Sequence, residues 1–456
     1  MVSSLVDCLI SGIQSRDIEK LNAFKALHRV KNFRGPKALV RFLPVSSGYL
    51  LFCINTFGEL SDLRCHFNFQ RDEMLVLENV LLLWLSALVT VPFDLDVIDD
   101  SNTQLSNKVL DLCHHYLKVC SCWEAAAITV AKLVSRADIS RALFQSQLEL
   151  MKAVLYAPGT ELNNYIGGFL CLYQVCSYSA PSLLRDSNIS RILIEIVDII
   201  QKRWMFNESS YTRRLSIKIL QRVVLAFCPK FVHGDLESLR NLLVCVQQFC
   251  ETIELTIQCL IISLSDEDSR VRWSAAKGLG RIASRLPTRL SFQISDALLS
   301  NVSGSSNLFL SHGFCLAIAE IIRRQSIASS SLDEVMQFGS KALYCDELQG
   351  GKVVGSIVRD AACYLLWSTF RTMSKSALQD CSYISSGKAA FDIVFVAITD
   401  RDVNVRKAAS AAFQEGRGRF GDEFFPHGLK IMEMIDFYSV TNRSHCYRFL
   451  VSQISM

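Results

Sequence analysis

The sequence predicts an all-α solenoid, in which pairs of helices stack side by side along the chain. The first observation is a short phrase that occurs three times, at Val271–Lys277, Val358–Ala362 and Val405–Ala409. The second is that each copy begins a pattern with small or apolar residues four positions apart, as on one face of a helix. The third is the spacing of about 45 residues, or twice that, which is typical of two-helix repeats of the HEAT or armadillo type.

Each copy of the phrase places small and apolar residues at the same helical spacing. Val271, Ala275 and Leu279 lie at i, i+4 and i+8, along one face of the predicted helix. The central alanine lets a neighbouring helix approach closely, while the larger residues on either side fill the groove. Asp266 and Asp400 precede the arginine of two copies by six positions. We therefore expect the turn between paired helices at these aspartates.

The residues after these turns predict how the second helix of each pair begins. Asp268 or Ser269, and Asp402, are expected to cap the helix by accepting hydrogen bonds from its first free N–H groups. The middle copy lacks this short turn. It has instead the glycine-containing stretch Asp346–Ser356, which we predict to be a surface loop.

Fainter copies extend the predicted array towards the N-terminus. Similar stretches, dense in small and apolar residues, occur at Gly313–Ala319, Leu215–Leu220, Ile166–Leu172 and Trp123–Ala127. The upstream stretches follow one another at about 40–60 residues, close to the repeat length. We therefore predict a single α-solenoid superhelix over residues 1–456, with weak, irregular repeats in 1–250, clear HEAT-like repeats in 255–446 and a divergent tail in 447–456.

The composition is that of a protein with much apolar surface and little net charge. Of 456 residues, 50% are hydrophobic and only 20% are charged, and the net charge is +4. A solenoid buries helices on both sides, which accounts for part of the apolar excess. The rest indicates either surfaces meant for partners or a chain that lacks covering neighbours. The sequence shows no basic stripe with interleaved aromatics, which argues against nucleic-acid binding.

The chain shows neither a membrane span nor a secretion signal. Its most hydrophobic segment, Val80–Val91, is about a dozen residues long, whereas a membrane span needs about 20. We interpret it as a buried helix that Pro92 ends. Because Met1–Asp17 lacks the pattern of a signal peptide, we expect a reducing compartment in which the 17 cysteines are thiols.

Two glycine patterns match a dinucleotide-binding motif. They lie at Gly278–Ala283 and Gly416–Gly421. The motif binds a pyrophosphate only between a strand and a helix, and here each copy lies in or after a repeat helix. We expect close helix packing at Gly278 and Gly280, and a helix-ending loop at Gly416–Gly421. No nucleophile with a base and an orienting acid can be identified, so neither an enzyme nor a cofactor is predicted.

One cluster could supply metal ligands. It consists of Cys113, His114, His115, Cys120 and Cys122. Their spacing fits none of the paired patterns that bring ligands to one tetrahedral point. We therefore favour core cysteines and half-exposed histidines over a metal site.

The recurring arginines Arg272, Arg359 and Arg406 allow two interpretations. In the favoured one they form a ladder, each paired with an aspartate such as Asp266 or Asp400, since buried charge is costly unless paired. In the other they face a partner. Their neighbours are freer to bind, so the candidate partner-binding residues are Arg272, Trp273, Lys277, Arg359, Asp360, Arg406 and Lys407. Trp273 is a candidate anchor, because aromatic residues dominate binding hot spots, and core packing is the alternative for it.

The repeats resemble one known family, tubulin-folding cofactor D, also called tubulin-specific chaperone D. The resemblance is carried by Asp268–Pro287, Val358–Trp367 and Asp400–Glu415. It extends to Phe425–Gly428 and Asn442–Ser444, and is weaker at Lys31–Pro44, Leu81–Asp94 and Ala125–Asp138. Family members are longer, so the resemblance implies an incomplete, N-terminal portion.

The resemblance implies a binding chaperone of the cytoplasm, associated with microtubules. Such a protein captures β-tubulin released by the chaperonin, joins other tubulin-folding cofactors and an Arf-like small GTPase, and promotes assembly of αβ-tubulin. It also stimulates GTP hydrolysis, which occurs on tubulin, so no catalytic residue is implied in this chain. The alternative is a generic HEAT-repeat scaffold or adaptor unrelated to tubulin, which rests on the fold alone.

Overall fold

The computed structural model describes residues 1–95, 105–156, 162–204, 209–230, 235–302, 307–349 and 352–450. In these ranges the chain is helical apart from one two-stranded hairpin, and it forms two compact units, Met1–Asn207 and Glu208–Met456. The predicted all-α fold of repeated helix pairs is confirmed. The continuity of one array through both units stays a prediction, and the end of the tail, from residue 451, lies outside the described residues.

The Met1–Asn207 unit begins with short helices and continues with longer pairs. Its helices are α1 Val2–Ser15, α2 Ile18–Leu21, α3 Ala23–Arg34, α4 Pro36–Val40, α5 Ser47–Gly58, α6 Leu60–Phe67, α7 Arg71–Leu88, α8 Leu105–Tyr116, α9 Trp123–Val134, α10 Arg141–Tyr156, α11 Leu162–Tyr178, α12 Pro181–Leu184 and α13 Ser187–Trp204. Helices α7, α9 and α11 pack side by side as one row, with α8 against α9 and α10 against α11.

Helix α7 contains a long, continuous buried stretch. It begins with a capping box, in which Gln70 and Glu73 satisfy each other's backbone N–H groups. Every residue from 79 to 88 is buried, so the predicted buried helix is confirmed. Its predicted end is wrong, because α7 stops at Leu88 and Pro92 follows a turn. None of the described helices combines the length and apolar character that a bilayer crossing requires.

The Glu208–Met456 unit contains the helix pairs that carry the repeated phrase. Its helices are α14 Ser210–Phe227, α15 Leu236–Gln248, α16 Cys250–Ile262, α17 Ser269–Ala283, α18 Thr288–Val302, α19 Leu308–Ile322, α20 Leu332–Leu343, α21 Ser356–Thr372, α22 Lys375–Gln379, α23 Ser382–Ser385, α24 Lys388–Thr399, α25 Val403–Phe420, α26 Gly428–Met434 and α27 Arg443–His445. Short 3₁₀ turns lie at Ser263–Ser265, Ser329–Ser331, Gly421–Glu423 and Ser439–Thr441, and a π-helical turn at Cys446–Leu450.

Two layers of helices make up the repeats of this unit. The second helices α14, α17, α19, α21 and α25 pack side by side in that order, and α16, α18, α20 and α24 pack against them as first helices. We call the row α14–α17–α19–α21–α25 the second-helix layer. Val271, Ala275 and Leu279 are fully buried, which confirms the predicted apolar stripe.

The predicted caps are confirmed, but the predicted loop is partly wrong. Asp268 and Asp402 accept hydrogen bonds from the backbone N–H groups two residues on, at 2.7 and 2.8 Å. The stretch Asp346–Ser356 contains a β-hairpin instead of an irregular loop. Its strands β1, Glu347–Gln349, and β2, Lys352–Val354, pair antiparallel. The valines at 353 and 354 favour the extended backbone, and pairing satisfies N–H and C=O groups that a loop would leave to solvent.

The glycine patterns serve packing, with one difference from prediction. A Cβ added to Gly280 in α17 would lie 2.7 Å from the Glu320 carbonyl oxygen of α19, so the glycine permits close helix contact as expected. The predicted loop at Gly416–Gly421 is wrong, because α25 continues to Phe420. Gly416 instead makes room for the ring of Phe425, and only Gly421, with φ +68°, ends the helix.

Candidate partner-binding surface

The recurring arginines lie inside the repeats and hold the turn before each second helix. Arg272, Arg359 and Arg406 are 2%, 6% and 2% exposed. Nη1 of Arg272 donates to the carbonyl oxygens of residues 266 and 267, at 2.5 and 2.9 Å. Nη1 of Arg406 does the same to residues 400 and 401, at 2.8 and 3.1 Å. The long side chain thus satisfies backbone acceptors that the turn would otherwise leave buried without a partner.

The other edge of each guanidinium reaches the next repeat. Arg359 donates from Nε and Nη2 to the Asp400 carboxylate, at 2.6 and 3.2 Å, which confirms the ladder at this step. Nε of Arg406 donates to the Val440 carbonyl oxygen at 2.7 Å. Nε of Arg272 donates to Nδ1 of His312 at 2.9 Å. The predicted pairing with an aspartate carboxylate is therefore wrong for Arg272, whose neighbour in the next repeat is a histidine. It is also wrong for Arg406, which donates to backbone carbonyl oxygens.

A fourth ladder arginine, Arg213, has no counterpart in the predictions. Its Nε and Nη2 donate to the Asp266 carboxylate, at 2.6 and 3.0 Å, in the arrangement that joins Arg359 to Asp400. Helix α14 carries Arg213 without the rest of the phrase, which explains why sequence comparison missed it. The sequence feature that could have identified Arg213 is Asp266. It occupies the same turn position as Asp400, which suggests an arginine partner in the preceding repeat.

His312 takes the place of the ladder arginine in the faint copy of the phrase. It lies one residue before Gly313 and is 8% exposed. Burial, and then the positive charge of Arg272, lower the pKa of His312 to about 4. The imidazole is therefore neutral near pH 7, and its Nδ1 accepts the hydrogen bond from Arg272.

We expect this histidine to make stability depend on pH. Between pH 6.5 and about 4 the unfolded chain binds a proton at His312 that the folded chain does not, so stability falls as pH falls through this window. From pH 6.5 to 5 the loss is about 2 kcal/mol, at about 1.4 kcal/mol for each pH unit. The measurement is urea unfolding at several pH values. His312→Asn keeps an acceptor for Arg272 and should remove this part of the slope, and equal slopes would contradict the assignment.

The exposed part of the second-helix layer carries interacting aromatic rings. Trp273 of α17 meets Tyr364 of α21 edge to face across α19, with ring centroids 5.4 Å apart. Tyr364 stacks on Trp367, at 5.9 Å and an interplanar angle of 13°. All three rings are half-buried. They form a continuous aromatic row that joins α17 to α21.

Cations surround this aromatic row. Lys277 Nζ lies 4.6 Å from the centroid of the Trp273 ring, and Arg323 and Arg371 lie 5.9 and 5.8 Å from that of Trp367. Such cation–π contacts contribute about 0.5–1 kcal/mol at exposed sites. We call the set Trp273, Lys277, Arg323, Tyr364, Trp367 and Arg371 the aromatic–cationic surface. Of these residues, sequence analysis named Trp273 and Lys277 only.

A buried glutamate fixes the geometry of this surface from below. Glu320 of α19 is 1% exposed, and its carboxylate accepts hydrogen bonds from the Tyr364 hydroxyl at 2.9 Å and from Arg324 at 2.5 Å. Burial opposes ionisation of Glu320, but the hydrogen bond and charge of Arg324 outweigh it and hold the pKa below its usual value. The ionised carboxylate thus orients Tyr364, and with it the aromatic row.

The remaining accessible candidates, Asp360 and Lys407, lie near the N-terminal ends of α21 and α25. Asp360 is exposed, and Lys407 is half-buried with Nζ 4.3 Å from the ring centroid of Phe437. A groove of about 310 Å³ separates Trp273 of α17 from Asp360 and Asn404 of α21 and α25. The structure therefore leaves Trp273, Lys277, Asp360 and Lys407 accessible, while Arg272, Arg359 and Arg406 are occupied inside the repeats. Contact of any of these with a partner stays a prediction.

The cysteine–histidine cluster is divided between core and surface. Cys113 and Cys122 are buried, whereas Cys120 and His115 are exposed. Burial raises the pKa of the Cys122 thiol to about 11, and that of Cys113 also rises, so both favour the neutral thiol over a thiolate ligand. Nε2 of His114 lies 2.8 Å from Gln147 Oε1. In the part of the chain that the structure describes, no three His, Cys, Asp or Glu side chains come together to hold a metal.

Comparison with solved structures agrees with this architecture. A structure of Kap95p with RanGDP superposes with a TM-score of 0.55 and covers 97% of this chain and 50% of that chain. The two sequences are 14% identical, so the similarity concerns the fold alone.

Comparison with protein families matches both units. The family model described as "Tubulin-specific chaperone D-like, ARM repeat" matches residues 1–155, and "Tubulin-specific chaperone D-like, ARM repeats" matches residues 238–429. The "Tubulin-folding cofactor D" of Schizosaccharomyces pombe is 26% identical over 97% of this chain, which spans 40% of that relative. The "Tubulin-specific chaperone D" of Dictyostelium discoideum is 36% identical over 42% of this chain and 13% of its own length. The chain belongs to the tubulin-specific chaperone D family, also called tubulin-folding cofactor D.

Proposed function

We propose that the chain acts in tubulin folding by capturing β-tubulin after its release from the chaperonin and by promoting αβ-tubulin assembly. The observation that carries the proposal is the family match, which covers helix pairs in both units. Relatives that match 97% and 42% of the chain are named as tubulin-folding proteins. Capture is non-covalent in this proposal, because the repeats offer packed helices and an aromatic–cationic surface instead of a set of reacting groups.

The proposed contact is the aromatic–cationic surface together with Asp360 and Lys407. Aromatic and arginine side chains dominate binding hot spots, and here they lie on rigid helices. Their positions are fixed before binding, since Glu320 orients Tyr364 and Lys277 lies against Trp273. A preorganised surface loses less side-chain entropy on association than a flexible one. Arg272, Arg359 and Arg406 act in this proposal as supports of the helices that present it.

The proposal includes further partners that are inferred from the family. These are other tubulin-folding cofactors and an Arf-like small GTPase. GTP hydrolysis would occur on tubulin, with this chain as an activator without a catalytic centre of its own. The expected location is the cytoplasm, in association with microtubules.

The decisive experiment mixes purified chain with native αβ-tubulin and follows size-exclusion chromatography coupled to light scattering. We expect a complex with the mass of this chain plus β-tubulin. A well-folded chain that elutes alone would contradict capture by these repeats. GTP turnover by tubulin, with and without the chain, then tests the activator role separately.

Trp273→Ala is expected to weaken the complex at least tenfold, since truncating an aromatic hot spot costs about 2 kcal/mol. The matched control is Phe391→Ala, which removes a ring that is 66% exposed on α24, in the layer of first helices. Affinities would be measured by titration of labelled tubulin. Binding of Trp273→Ala with unchanged affinity would remove the aromatic–cationic surface from the proposed interface.

A further inference from the structure

The two ends of the second-helix layer differ in charge, because the N-terminal ends combine ladder arginines with aspartates. At the N-terminal ends, Asp266, Asp268, Asp400 and Asp402 hold turns and caps with their carboxylates. The C-terminal halves carry cations instead. We call the following six residues the cationic strip: Arg222 on α14, Lys277, Arg281 and Arg285 on or just after α17, Arg323 just after α19 and Arg371 on α21.

Three arginines of the strip, Arg222, Arg281 and Arg285, lie close enough together to interact electrostatically. Burial lowers the pKa of Arg285, Cys228 opposes this shift, and the positive charges of Arg222 and Arg281 lower the pKa further. Arg281 donates to the side-chain oxygen of Gln221 at 3.2 Å, and Arg285 donates to the Cys228 carbonyl oxygen at 3.2 Å. The carbonyl acceptor of Arg285 is neutral, so it positions that guanidinium group without cancelling its charge.

Carboxylates at the other end of the strip compensate part of its charge. Glu320 is buried beneath Arg323 and is bonded to Arg324. Glu415 pairs with Arg371 at 3.1 Å, yet the arginine side chain stays 58% exposed. These two carboxylates pair with Arg323, Arg324 and Arg371, so they act on the α19–α21 part of the strip. The strip has a surplus of positive charge, although the whole chain has a net charge of only +4.

We propose that the cationic strip binds an extended polypeptide segment rich in glutamate and aspartate. Packed helices lie about 8–10 Å apart, and an extended chain advances about 3.3 Å for each residue. An acidic side chain at every third position therefore meets one second helix after another. About ten residues of such a segment reach from α14 to α21. Charge complementarity of this kind provides specificity and rapid association.

The aromatic rings along the strip favour a polypeptide over a nucleic acid. Single-stranded nucleic acids bind to open ring faces on which bases stack. Here Lys277 lies over Trp273, and both Arg323 and Arg371 lie over Trp367, whose ring also stacks with Tyr364. The ring faces are thus covered by cations, and these cations can still contact carboxylates. The inference goes beyond the proposed function, because it fixes the chemistry of a ligand whichever protein carries it.

The test is fluorescence anisotropy with the full chain and a fluorescein-labelled synthetic peptide of about twelve residues, enough to span the strip. Glutamate occupies every third position, with serine and glycine between. We expect this peptide to bind at least tenfold more tightly than the same peptide with glutamine, and to dissociate as salt is raised. Equal binding of the two peptides overturns the inference.

Charge reversals then place the peptide on the strip. Arg222→Glu combined with Lys277→Glu is expected to weaken binding about tenfold. The matched control, Arg240→Glu with Lys388→Glu, changes net charge equally at exposed positions on α15 and α24, and should leave binding unchanged. Equal loss in both pairs would show a general charge effect and overturn the assignment. Lys277→Gln is the milder variant, with about threefold weaker binding expected, if the double reversal unfolds in circular dichroism.

Two further outcomes separate this inference from its alternatives. If a labelled single-stranded RNA binds the chain and the strip variants abolish that binding but leave the peptide unaffected, the strip is a nucleic-acid site and the inference is wrong. If the chain binds tubulin but neither peptide, the inference fails while the proposed function stands. If the chain binds the glutamate peptide but not tubulin, the inference stands and the proposed function fails.

Discussion

Replacing Arg359 by alanine is expected to lower the free energy of unfolding of the Glu208–Met456 unit by about 4 kcal/mol. Removal of one partner of a buried ion pair leaves the other charge uncompensated, which costs about 3–5 kcal/mol. Asp400, the partner, is 9% exposed and lies 2.6 Å from Nε of Arg359. The same carboxylate also accepts the Asp402 N–H at the turn before α25, so its displacement would disturb the start of that helix.

The matched control is Arg371→Ala, on the same helix. Arg371 also pairs with a carboxylate, that of Glu415 at 3.1 Å, but its side chain is 58% exposed. Exposed pairs contribute about 0–1 kcal/mol, because water screens them and solvates either partner alone. Urea unfolding followed by tryptophan fluorescence measures both variants, and hydrogen exchange of peptides around Asp400 localises the change. Similar small losses for the two variants would show that Arg359 is not a structural support.

The elements with a strong local signal are those that sequence alone predicts. Val271, Ala275 and Leu279 recur at helical spacing because one face of each second helix must be buried, and they are fully buried. Asp268 and Asp402 precede their helices because a short acceptor side chain satisfies free N–H groups there. Both rules operate within a few residues, so one sequence is enough to apply them.

The exposed surface could not be predicted in the same way, because it is assembled from separate helices. Trp273 and Tyr364 are in contact although α18, α19 and α20 intervene in the chain. Arg222 and Arg285 interact across α14 and α17. No window of the sequence shows a basic stripe, yet stacking of the helices creates one. The packing that brings these residues together depends on helix crossings that local patterns do not specify.

Adjacent positions of a second helix have different roles, one in the ladder inside the repeat and one on the surface. Arg272 lies inside the repeat, and Trp273, one residue later, lies on the surface. A helix turns by about 100° for each residue, so the two side chains point to different sides. An inward arginine therefore stabilises the turn while its neighbour remains available to a partner. This arrangement explains why a strongly repeated arginine is a poor guide to the binding site.

The second large effect is expected from Gly313→Ala, which should destabilise the same unit by at least about 3 kcal/mol, the upper range for overpacking a core. A Cβ at this position would lie 2.1 Å from the carbonyl oxygen of Leu264, in the Ser263–Ser265 turn. A backbone oxygen cannot rotate away as a side chain can. Helix α19 must therefore move away from the turn, although alanine itself favours the helix by about 1 kcal/mol over glycine.

Gly418→Ala isolates that helix preference. Gly418 lies within α25, and a Cβ there would have no atom within 4 Å. We expect this variant to be about 0.5–1 kcal/mol more stable than the parent chain, because only the backbone preference changes. Both variants are measured by the same urea titration. If the change in the free energy of unfolding has opposite signs for Gly313→Ala and Gly418→Ala, close approach of the repeats requires Gly313. If Gly313→Ala were also stabilising, α19 and the Ser263–Ser265 turn could separate without loss, and the contact would not fix the spacing between repeats.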